Sequence, residues 1–165
     1  MLVIGIDPGT ATTGWGAIEV NGNGIILRGF GLIETNKELL AENRLFGIYR
    51  EMRALLKEHR PDVLAIEKLF FATNAKTAIQ VGQAQGVMLL SAAAFKVPVF
   101  EYAPGTIKKV IAGDGRADKK VIQQSVRKVL GSKVRSRARK KTHFDNSADA
   151  LAVALCHVYS TRVSG

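Results

Sequence analysis

The sequence predicts an α/β domain in which a mixed five-stranded sheet is covered by helices on both faces. Three observations carry this prediction. Three strand-like segments linked by hairpin signals open the chain, β and α patterns alternate after them, and the first strand is an apolar run of the kind that is buried on both sides.

The elements follow in order. Leu2–Ile6 is a compact run of branched apolar residues stopped by the turn Asp7-Pro8-Gly9-Thr10, and reads as a buried strand. Thr13–Val20 and Ile25–Glu34 read as two further strands, joined by Asn21-Gly22-Asn23-Gly24, residues that tolerate positive φ in a hairpin. Glu38–His59 has helical periodicity, with Leu39, Leu45, Ile48, Met52, Leu55 and Leu56 on one face, and Arg60-Pro61 ends it. Asp62–Glu67 is a second buried strand ending in an acid, Asn74–Phe95 a long helix rich in small residues, and Val97–Tyr102 a short strand. Pro104–Ala112 and Asp118–Leu130 read as helices separated by Gly113-Asp114-Gly115, and Ser147–Ser160 as a last helix entered a residue or two earlier. Residues 131–141, GSKVRSRARKK, are almost free of apolar side chains and read as a basic loop. There are no internal repeats.

A chain of 165 residues has length for one domain, 1–165, and not for two ordinary ones. Its 47% apolar and 23% charged residues are ordinary for a globular protein. The formal net charge of +10 points to a polyanionic partner, nucleic acid first and an anionic membrane surface second. The single cysteine, Cys156, sits in an apolar run and reads as a buried, inert thiol suited to a reducing compartment. No apolar stretch approaches the ~18 residues of a membrane span, and the N-terminus lacks the marks of a secretory signal. The expectation is a soluble cytoplasmic protein.

Two apolar strands end in carboxylates, Asp7 and Glu67, and in open α/β sheets sites form at the carboxyl ends of parallel strands. A third acid, Asp149, interrupts the small apolar run of the last helix, where an unpartnered charge is costly. Asp145 and Asn146 stand four and three residues before it, and either can share its helix face. Several oxygen ligands on a basic protein suit a hard cation such as Mg²⁺ or Mn²⁺. Two such ions can drive phosphodiester hydrolysis. Each acid also has a plainer reading, as a helix cap or turn residue, which accounts for Asp145 better than for Asp149.

GIDPGT with Gly14, AIEKLFF followed by Asn74, GQAQG at Gly82–Gly86, the Tyr102-Ala103-Pro104 turn and ADALAVALCH at Ala148–His157 resemble RuvC-type Holliday-junction resolvases in order and spacing, across nearly the whole chain. The resemblance implies an RNase H-like fold, a homodimer, and paired symmetric nicks across four-way DNA junctions. It also implies two Mg²⁺ ions per site, which Mn²⁺ can replace, and partnership with the RuvA–RuvB branch-migration complex. No nucleotide and no membrane are implied. Carried over, Asp7, Glu67 and Asp149 are metal ligands. The position three before the last Asp, an Asp or His in the family, is Asn146 here. Asn offers a carbonyl oxygen without charge. Three accounts follow: an engineered silencing change, which is favoured because Asn keeps the shape of Asp; Asp145 as substitute ligand; or a natural slow or inactive member. His143 is a further candidate, read as a loop residue outside the helix.

For DNA contacts, the resemblance points to Phe70 as a residue stacking on bases at the junction, with Phe71 packed. It points to Lys108 and Lys119 on phosphates, with Lys109, Arg116 and Lys120 in reserve. Gly82 and Gly86 form a small-residue face that reads as close packing within the chain or as dimer contact. Three rival readings stand beside this one. An ATP-using enzyme of the actin and hexokinase class needs two such domains; a related RNase H-like nuclease would act on RNA; a non-catalytic junction-binding protein would fit Asn146.

Overall fold

The computed structural model describes residues 1–68, 74–131 and 141–162, and for residues 141–145 and 162 it describes the backbone alone. Among the described residues, five strands and five helices follow one another as β1 (Leu2–Asp7), β2 (Thr12–Asn21), β3 (Gly24–Glu34), α1 (Ala41–His59), β4 (Val63–Glu67), α2 (Ala75–Ala94), β5 (Val99–Tyr102), α3 (Pro104–Ala112), α4 (Lys119–Leu130) and α5 (Lys141–Arg162). The strands form one sheet in the order β3-β2-β1-β4-β5. β1 pairs antiparallel with β2 and parallel with β4, so the sheet is mixed as the sequence predicts. No described helix is long and apolar enough to cross a membrane.

The hairpin between β2 and β3 closes as its residues dictate. Asn21 pairs with Gly24, the Asn23 amide donates to Asn21 Oδ1 at 2.9 Å, and Gly24 takes φ 126°, where a side chain would be strained. Pro104 opens α3 and Gly113 closes it at φ 80°. Asp118 caps α4 by accepting from the Val121 amide at 2.9 Å.

The period of two along β1 and β4 divides the core. Ile4, Ile6, Leu64 and Ile66 face a cluster completed by Ile48, Met52, Leu56 and Met88 of α1 and α2. Val3, Val63 and Ala65 face the opposite cluster, built on α5 with support from α3 and α4. Helix α5 is the innermost helix, with Ala148 and Ala150–Cys156 at most 1% exposed. It reaches that depth because β1 and β2 present glycines. A Cβ on Gly5 would lie 2.0 Å from the Ala150 carbonyl oxygen and 2.6 Å from the Ala154 amide nitrogen.

Several boundaries depart from the sequence reading. α1 starts at Ala41, so Leu39 lies in the preceding turn, half exposed, and not on the buried face. α5 starts at Lys141, several residues before the expected entry near Ser147. His143 therefore lies within the helical backbone and not in a loop, and Lys141 belongs to the helix and not to the basic segment. Residues 132–140 of that segment lie outside the described residues. Cys156 is buried as expected, and burial pushes its thiol pKa up, which keeps it protonated and unreactive.

The glycine contact gives a direct test. Gly5→Ala forces backbone apart from backbone and should destabilise the fold by about 3 kcal/mol or more. Gly22→Ala, with open space around its Cβ, should change stability by less than about 0.5 kcal/mol. Urea denaturation followed by circular dichroism separates the two, and equal midpoints would refute the close approach of α5.

Candidate active site at the carboxyl edge of the sheet

Asp7 and Glu67 are the residues after the last paired couple of β1 and β4, Ile6 and Ile66. Counting by twos from Val3 and Gly5, and from Val63 and Ala65, puts both carboxylates on the α5 side of the sheet. There they meet Asp149. Burial is the largest influence on Asp7. The charges of Glu67 and Asp149 add to it, Lys119 opposes them, and the result is a pKa of about 7 in place of 3.8. Glu67 is also raised, by burial first and then by Asp149, while a hydrogen bond from Asp7, Lys108 and Lys119 pull it back. The hydrogen bond between the two carboxyls requires a proton between them, and the pair titrates as a unit.

Helix α4 supplies the positive charge. Its first residue, Lys119, places Nζ 2.7 Å from Asp149 Oδ2. Lys108 of α3 is half-buried and close enough to stabilise ionised Glu67. The sequence reading gave both lysines to DNA; in the structure their charges stand against the acids. Asn146 is half-buried one turn before Asp149 on α5. Its backbone carbonyl lies where a Cβ on Gly14 would be 2.1 Å away. Gly14 is in turn the register partner of Asp7. That glycine lets the start of α5 approach the strand bearing the first acid. Sequence reading quoted Gly14 within a motif without seeing this role, although an isolated glycine in a strand is a signal of close backbone approach.

Among the described residues, no three His, Cys, Asp or Glu side chains stand as a ready cage for one ion. The donor chemistry nevertheless fits a hard cation: oxygen ligands only, an acid whose pKa is raised by burial and by neighbouring carboxylates, and a lysine ammonium paired with Asp149. Arg116 and Lys120 are exposed, in the turn before α4 and at its start. The Arg116 amide donates to Asp114 Oδ1 at 2.9 Å. Phe70 and Phe71 lie outside the described residues, as do the side chains of His143 and Asp145.

Residues 3–157 match the family described as crossover junction endodeoxyribonuclease RuvC. A protein of that name from Syntrophomonas wolfei is 46% identical over 164 residues, covering 99% of this chain and 92% of its own length. Its counterpart from Thermotoga petrophila is 46% identical over 162 residues, covering 98% of this chain and 94% of its own. Among solved structures, T. thermophilus RuvC in complex with Holliday junction substrate superposes with a TM-score of 0.87 at 32% identity, covering 99% of this chain and 96% of that one.

The pKa of Asp7 predicts how the metal-free protein responds to pH. Between about 3.8 and about 7 the unfolded chain has released this proton and the folded chain has not. The Asp7 contribution is therefore complete below that window and is lost as pH rises through it. In EDTA, Asp7→Asn should stabilise the protein, and the gain should be larger near pH 8 than near pH 5 by roughly 3 kcal/mol. Thermal melts of both proteins at the two pH values check this; a gain independent of pH would remove the protonated Asp7.

Proposed function

Because the chain belongs to the crossover junction endodeoxyribonuclease RuvC family, we propose that it resolves four-way DNA junctions by paired symmetric nicks, using Asp7, Glu67, Asn146 and Asp149 as its metal-binding set. The observation that carries this reading is the meeting of three carboxylates with Lys119 and Lys108 at one edge of an RNase H-like sheet. Magnesium, or manganese in its place, would supply two Lewis-acid charges, activating a water and stabilising the leaving oxygen of the phosphodiester.

The chain's own residues do the rest. Asp7 releases its proton as the site gains positive charge, so that the proton is exchanged for the cation. Lys119 holds Asp149 in place until phosphate competes for its ammonium, and Lys108 draws phosphate toward Glu67. Arg116 and Lys120 extend the same cationic surface along the DNA, with contacts sensitive to salt and indifferent to sequence. Phe70 stacks on bases where the junction opens. A junction resolvase of this kind works beside DNA in the cytoplasm, in concert with RuvA–RuvB.

Symmetric nicks require two sites related by a twofold axis. The outer face of α2 supports a homodimer: Ile79 and Leu90 are 63% and 62% exposed, and a Cβ on Gly86 between them would meet nothing within 4 Å among the described residues. Ile79→Glu combined with Leu90→Glu should yield monomers in analytical ultracentrifugation and unpaired nicks on a junction. Dimers that persist would place the interface elsewhere.

Asn146 should limit turnover, because it offers an oxygen without charge. With a labelled mobile junction and Mg²⁺, Asn146→Asp should cut at least about tenfold faster than the present chain, in keeping with the effect of altering a metal site. If the two proteins cut equally and Asp145→Asn abolishes cutting, Asp145 is the fourth ligand. If both bind the junction and neither cuts it, the protein is a junction-binding module and the enzymatic reading fails.

A further inference from the structure

On the layer opposite α5, α1 carries a second charged surface that the cleavage site does not use. Phe46, Tyr49, Arg50, Arg53, Ala54 and Lys57 recur at helical spacing on one stripe of α1, and with Phe95, the C-cap of α2, they line a groove of about 320 Å³. Glu51 and Glu58 fall on another flank of the same helix and Glu42 lies one turn before Phe46, so the residues lining the groove include cations and aromatic rings and no acid. Arg53 lies at its centre. Its guanidinium carbon is 5.4 Å from the Tyr49 ring centre and 5.9 Å from that of Phe95, and Nη1 donates to the Tyr49 hydroxyl at 3.4 Å. The rings hold the guanidinium in place, which lowers the entropy lost when a carboxylate binds it. Arg50 meets Glu51 at 3.7 Å with both side chains largely exposed, a pair worth little. Among the described residues Arg53 and Lys57 have no carboxylate partner. Phe46 is 64% exposed, an unusual position for a large ring without an occupant.

We propose that this groove docks an acidic segment of a partner protein that presents one bulky apolar side chain. Carboxylates would pair with Arg50, Arg53 and Lys57, and the apolar anchor would lie between Phe46 and Phe95. Position argues against DNA as the occupant. α1 leaves β3 at the edge that carries Asp7 and Glu67 and runs toward the opposite edge, so Lys57 lies ~24 Å along the helix from its start. Lys108 and Lys119 stand on the other face of the sheet, with α5. DNA seated at the carboxylates would have to cross the sheet to reach the groove. The proposal goes beyond junction cleavage and does not depend on it.

The test uses the intact protein and a fluorescein-labelled short peptide of glutamates and aspartates around one central phenylalanine. Fluorescence anisotropy measures binding, and amide chemical shifts locate it. Shifts should cluster on α1 from Phe46 to Lys57 and around Phe95. Arg53→Glu and, independently, Lys57→Glu should each weaken binding about tenfold or more, the scale of a charge pair at the centre of an interface. Lys128→Glu, which changes net charge equally on exposed α4, should leave binding within about twofold. Replacing the phenylalanine of the peptide by glycine should also weaken it about tenfold. Junction cleavage should be the same in all three variants and the starting protein. Shifts at Lys108 and Lys119 instead, or equal binding of the glycine peptide, would reduce the effect to bulk charge and overturn the proposal. Oligothymidylate shifting the groove residues would make it a nucleic-acid surface, and monomers formed by Arg53→Glu would make it part of a self-interface; either result overturns it.

Discussion

Helix α5 lies directly on the backbone of β1 and β2, and the geometry of the acids depends on that contact. Side chains would hold the helix away: a Cβ on Gly5, Gly14 or Gly16 would come within 2.0, 2.1 and 2.5 Å of α5 atoms. The helix answers with alanines at 148, 150, 152 and 154, all buried. At Gly5 and Gly14 the contact is backbone against backbone, which has no rotamer to absorb a shift, while Gly16 makes room for the Leu151 side chain. Asp149 and Asn146 are thereby fixed against the strand that ends in Asp7. A bond from β5 tethers the later part of α5: the Tyr102 hydroxyl and His157 Nδ1 are 2.8 Å apart, and burial lowers the His157 pKa, which favours the neutral ring that can share this bond.

On this frame the carboxylates are held closer than their charges favour. The chain as a whole is basic, yet three of its acids meet at one buried edge, where burial first and the neighbouring carboxylates second raise the Asp7 pKa to about 7. Long-range attraction for a polyanion and local attraction for a cation are thus spatially separate, and the lysines of α3 and α4 connect them. Lys119 belongs to both: its ammonium satisfies Asp149 and stands at the border of the positive surface. A cation arriving at the acids relieves repulsion already present, so metal affinity and DNA affinity should reinforce each other at this edge.

The period-two pattern of the strands and the turn residues made the order of elements legible, and the matched ends of β1 and β4 revealed Asp7 and Glu67. The departures have physical causes. Leu39 fits the apolar stripe of α1 by spacing, but the helix begins after it, because periodicity does not define an N-terminus that has no side-chain cap. The early part of α5 is polar, with Lys141 to Asn146 giving no apolar rhythm, so its helix was invisible to a reading based on hydrophobic period. The glycine contacts were hidden for another reason: Gly5, Gly14 and Gly16 mark close approach, but the sequence does not say what approaches. The groove on α1 was likewise spelled out residue by residue, yet it became a surface only when Phe95 of another helix closed it.

The early start of α5 also bears on Asn146. Were the helix to begin near Ser147, Asn146 would be a cap, and its amide would satisfy free backbone groups. Placed well inside the helix, it has no such task, and the first-turn preference for polar residues no longer accounts for it. Its effect is then electrostatic. An aspartate there would add a fourth carboxyl to a cluster in which burial and like charge already raise the Asp7 pKa to about 7. An asparagine removes that charge, making the metal-free fold easier to sustain and the cation less tightly demanded. Asp145 stands on the preceding helical position, four residues from Asp149, and residues so spaced share a face.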